Sequence, residues 1–77
     1  MEFPPQRPRL MSVTTPTTIV NPTNIVIQAL SGSCTVAGMG TITVPEGNAV
    51  SFSCDIGNTL GEFVITPSGT AQIIYFN

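Results

Sequence analysis

Two cysteines, four acids and two arginines are the residues of this chain best equipped for chemistry, and their spacing limits what they can do. Cys34 and Cys54 would suit an oxidised staple in a small secreted fold. Bridging them requires a fold that brings their Cα atoms within about 7 Å. Asp55-Ile56-Gly57-Asn58 resembles a fragment of a calcium loop, but calcium takes six or more oxygens and this stretch has too few acids, so it reads as a turn capped by Asx side chains. The chain has no His and no Lys, and from Leu10 onward its only charged side chains are Glu46, Asp55 and Glu62. Three scattered acids without a basic companion make no general acid–base pair, and none of the many Ser and Thr hydroxyls has a base beside it. No enzymatic activity, metal or cofactor is expected. The only cations, Arg7 and Arg9, lie near the N-terminus, so the rest of the chain cannot displace phosphate counterions and nucleic acid is not an expected partner.

The elements available to position these residues are short. Seventy-seven residues allow one domain, and a core of that size needs support from a disulfide, a metal or a partner subunit. Prolines at 4, 5, 8 and 16, mixed with Thr, Gln and Arg, mark residues 1–18 as an extended arm without a core of its own. A small β domain is expected over 19–77. Within it "NIVIQAL", "CTVA", "TITV", "AVSFSC", "EFVIT" and "AQIIYF" are rich in β-branched residues and separated by Gly and Pro. No stretch carries a helical period. The expected class is all-β, a small β-sandwich or barrel of about five to six short antiparallel strands with a Pro-rich N-terminal arm. No apolar run approaches the roughly twenty residues that span a membrane, and residues 1–10 lack the apolar core of a secretory signal. If this is the complete product, the expectation is synthesis in the cytoplasm of some cell, with no membrane partner.

Two turns share the pattern x-Pro-x-Gly-x-Ala, "VPEGNA" at 44–49 and "TPSGTA" at 66–71, and "NPTN" at 21–24 is a weaker echo. Pro and Gly suit a type I turn, so each is expected to close a hairpin. On that register Val44 faces Val50 and Ile42 faces Phe52. Pairing "CTVA" with "TITV" through Gly38-Met39-Gly40 sets Cys34 level with Val44, at the opposite end of the sheet from Cys54, which argues for two free thiols. In the second hairpin Ile73 and Tyr75 face the core, while Ile74 and Phe76 face outward beside Val64. Exposed apolar strands with no Lys at their edges would aggregate unless covered. Val64, Ile74 and Phe76 are therefore the expected subunit interface of a homo-oligomer.

An extended arm followed by a small, charge-poor β domain with apolar strands and no catalytic inventory resembles the decoration, or cement, proteins of tailed-bacteriophage capsids. The resemblance implies a virion structural protein on the capsid surface, a homotrimer that stabilises the shell. It also implies that Phe3, Pro4, Pro5, Arg7, Arg9 and Leu10 of the arm contact the major capsid protein, another virion protein or a neighbouring subunit. A neck, tail or fibre component would use the same physics. The reading from a different class is a monomeric Ig-like or lectin-like binding module whose arm is a linker, and a discrete oligomer in solution separates the two.

Overall fold

Among the described residues, alternating apolar positions on short β-rich segments produce eight strands. They are β1 (Pro8–Val13), β2 (Thr17–Val20), β3 (Asn24–Ser31), β4 (Cys34–Ala37), β5 (Thr41–Val44), β6 (Ala49–Ser53), β7 (Glu62–Pro67) and β8 (Thr70–Phe76). The computed structural model describes residues 8–38, 40–54 and 58–76. All strand pairing is antiparallel, in two four-stranded sheets: sheet A has the order β1-β8-β3-β6 and sheet B the order β2-β7-β4-β5. Among the described residues there is no helix.

The pairings β1·β8, β2·β7, β3·β6 and β4·β5 nest inside one another, as in a single antiparallel ribbon folded back at the β4–β5 turn. Wrapping that ribbon so that β8 also meets β3 and β7 also meets β4 gives the two sheets. This is jelly-roll topology, a double-sheet way of limiting exposed strand edges. The inward positions of both sheets supply the core: Ile25, Ile27 and Ala29 on β3 and Ala71 and Ile73 on β8 meet Ile19 on β2, Cys34 and Val36 on β4, Val44 on β5, and Phe63 and Ile65 on β7.

The strand number is eight rather than about five to six, because Pro8–Val13 and Thr17–Val20 add a strand to one edge of each sheet. Much of the segment read as an arm over 1–18 therefore lies in the sandwich. Pro8 at a strand start on an edge costs no ladder hydrogen bond, which is why a proline-rich stretch can still pair.

The Pro-Gly turns differ from the sequence expectation. Neither 44–49 nor 66–71 closes a hairpin, since β5 and β7 lie in sheet B while β6 and β8 lie in sheet A. Val50 and Phe52 pair with β3, and Ile73 and Tyr75 are paired with β3 and β1, so Val44 and Val50, like Ile65 and Ile73, belong to different sheets rather than to one ladder. All three Pro-led turns, 21–24 included, carry the chain from sheet B to sheet A. The one connection between neighbours in a sheet is β4–β5, with Cys34 level with Val44 as anticipated.

The turn residues have different physical reasons. Gly47 takes φ 82°, in left-handed space, with nothing near where a Cβ would stand. Gly69 is needed for close approach instead, because a Cβ there would strike the carbonyl oxygen of Ser31. In the 21–24 turn the left-handed residue is Asn21, φ 53°, which precedes the proline.

Candidate functional site

The two ends of the sandwich are filled differently. At one end the 32–33 and 68–69 arches are stitched together. Ser68 N–H donates to Ser33 O at 2.8 Å, Ser33 N–H donates to Ser68 Oγ at 2.8 Å, and Ser68 Oγ–H donates back to Ser33 O at 3.0 Å. Thr70 N–H reaches Ser31 Oγ at 3.0 Å, and Gly32 N–H reaches Glu46 Oε1 at 2.8 Å. Small side chains, Ala29, Ala71 and Cys34, lie beneath, all buried. These hydroxyls and Glu46 are committed to backbone groups, which is a structural use of residues that carry catalysis elsewhere.

At the opposite end the core residues are large and the sheets stand open. Phe52 and Phe63 pack with ring centroids 5.3 Å apart and planes inclined at 33°. With Ile42 and Leu60 they line a cavity of about 900 Å³ whose mouth is bounded by Gly38, Gly40 and the 59–61 segment. Ile42 is 43 % exposed although its strand position faces inward. Among the described residues, Glu62 brings a charged side chain to the rim. Both described chain ends, Pro8 and Phe76, are paired with each other at this end.

Cys34 and Cys54 are free thiols at opposite ends of the sandwich. Burial pushes the Cys34 thiol above its ordinary pKa. The Cys54 thiol lies 3.3 Å from Thr23 O and 3.1 Å from Asn58 O, either of which can accept a hydrogen bond from it. Among the described residues no group of three or more His, Cys, Asp or Glu comes together to hold a metal. The calcium-loop resemblance at 55–58 falls largely outside the described residues.

The outer face of sheet A is the most distinctive surface. Strand register places Leu10, Ile74 and Val26 side by side in one row across β1, β8 and β3, with Ser51 next on β6. The neighbouring row is Pro8, Phe76, Asn24 and Ser53, and on the other side lie Ser12, Gln72, Gln28 and Ala49. No Asp, Glu, Lys or Arg occupies these positions. Leu10 is 71 % exposed, and Ile74, Val26 and Phe76 are half-buried in the isolated chain. Leu10, Ser12, Gln72 and Ile74 also border a shallow hollow of about 310 Å³.

Of the interface residues expected from sequence, Ile74 and Phe76 lie together on this face, and Val64 does not. Val64 projects from the outer face of sheet B, between Thr18 on β2 and Ala37 on β4, because β7 and β8 are in different sheets. Leu10, anticipated as an arm contact, lies on β1 at the exposed end of the Ile74 row. Arg9 is exposed opposite Tyr75 on the edge strand. Phe3, Pro4, Pro5 and Arg7 lie outside the described residues. Sequence reasoning missed Val26, whose outward position between Ile25 and Ile27 follows from simple alternation once β3 is oriented. It also missed the end cavity, which depends on how far the sheets separate.

Comparison with protein-family models, with curated proteins and with solved structures gives no match.

Proposed function

We propose that this chain is a virion structural protein that self-associates through the outer face of sheet A and stabilises a capsid shell, as the decoration proteins of tailed bacteriophages do. The observation that carries the reading is the uncharged face centred on Leu10, Ile74 and Val26 with Phe76 beside it. Fully covering a Leu, Ile or Phe side chain is worth about 1.5–3 kcal/mol each. A face of several such residues without charges is therefore suited to a permanent contact and poorly suited to open solvent. The jelly roll is compatible by analogy, since viral capsid domains use it, and so do lectins and cupins. A trimer on the capsid surface is the assembly proposed, with Phe3, Pro4, Pro5, Arg7 and Arg9 reaching the major capsid protein or a neighbouring subunit. The scarcity of charge favours this over electrostatic capture of a soluble partner.

Virus particles purified by density gradient from the producing cells test the reading. The chain should be found in them at a fixed ratio to the major shell protein, and chemical removal of it should lower the temperature at which the shell opens. Particles that lack the chain would contradict the proposal.

A further inference from the structure

We infer that the apolar end cavity is a docking site for the Phe3-Pro4-Pro5 stretch of a second copy of this chain. The inference rests on the oligomer reading above and names what the cavity takes from the partner. Cavity and N-terminus belong to the same end of the sandwich: β1 starts there at Pro8, and Ile42, Phe52, Leu60 and Phe63 line the opening there. Seven residues precede Pro8, and they include an aromatic followed by two prolines. A Phe-Pro-Pro stretch presents a stiff apolar ridge that loses little entropy on seating in an aromatic-lined groove. Glycines 38 and 40 at the mouth leave room for backbone to approach. The charges agree as well, since Arg7 follows the stretch and Glu62 stands at the rim.

A second copy is a better donor than the same chain. Phe3 is five residues from Pro8, a reach of roughly 17 Å fully extended. In sheet A the cavity's Phe52 strand is β6, three spacings from β1, or about 14 Å across the end of the sheet. Reaching its own cavity would use nearly all that length and an immediate right-angle turn. Prolines 4, 5 and 8 bias residues 3, 4 and 7 towards extended backbone, which opposes such a turn. A segment that stayed extended would leave its own cavity behind and suit a neighbour's.

The chain has no Trp, so the F3W variant carries a single reporter. Its emission is read beside light scattering over a dilution series. The expected result is blue-shifted emission shielded from a soluble quencher wherever scattering reports an oligomer, with a red shift as dilution gives monomers. Adding Ile42→Glu should expose the Trp while the oligomer persists through sheet A. Ile42 is already 43 % exposed, so the fold should tolerate the change. Thr59→Arg, at the exposed rim, is the second blocking variant and should do the same. Solvent-exposed emission within the oligomer overturns the docking and leaves the oligomer reading standing. So does blue-shifted emission that survives in monomers, which would mean occupancy by the same chain, or emission that neither blocking variant alters. Scattering that reports a monomer at every concentration overturns both.

Discussion

Burial raises the pKa of Cys34 above the ordinary value of 9.0, because its surroundings disfavour a thiolate. A raised folded-state pKa means that the unfolded chain loses this proton first. The associated stability is complete below pH 9 and is lost as pH rises from there through the folded-state value. Thermal melts should show a steeper decline above pH 9 for the parent than for Cys34→Ala, whatever their difference at neutral pH; equal slopes would show that Cys34 is not shielded. Two glycines that look alike in sequence should also part company. Gly47→Asn keeps a residue that tolerates left-handed backbone and meets open space, so its denaturant midpoint should move only slightly. Gly69→Asn must push against the Ser31 carbonyl and should cost about 1–3 kcal/mol. Equal losses at the two sites would argue against the stitched arches.

At the scale of the element, β8 presents one face to the core and the other to the candidate interface. Ile73 is fully buried, and its replacement by Ser should remove about 2–5 kcal/mol and add an unsatisfied hydroxyl, enough to unfold a domain this small. Ile74→Ser, measured on dilute monomer, should cost far less; chemical denaturation of the two variants that found equal losses would reverse the assigned faces. This alternation was legible in "QIIYF", as were the all-β class and the β4–β5 hairpin with Cys34 level with Val44. The partnering of the other strands was not. A Pro-x-Gly turn specifies a reversal of direction but not whether its flanking strands hydrogen-bond or stack. Ile42 and Val44 can satisfy Val50 and Phe52 across a hairpin or across a core, and the alternation is the same in both. Only the competition for partners among all eight strands decides it, and that is why Val64 fell on the wrong side of the sandwich. The edge strands β1 and β2 were obscured for a related reason, since Pro and Thr in quantity read as arm until a neighbour supplies the ladder.

Across its described residues the molecule is a jelly roll stitched shut at one end, open and apolar at the other, with one broad face that carries no charge. Those features together are what favour the proposed association through sheet A. Size-exclusion chromatography with in-line light scattering, on the parent and on Ile74→Ser/Phe76→Ser at micromolar concentration, tests it most directly. The substitutions leave the inward positions Ile73 and Tyr75 untouched, so the fold should survive. The parent should elute as one discrete oligomer, with a trimer the expected mass, and the double variant as a folded monomer that melts at lower temperature. A parent that is monomeric, or a double variant that keeps the parent's mass and melting temperature, would contradict the account.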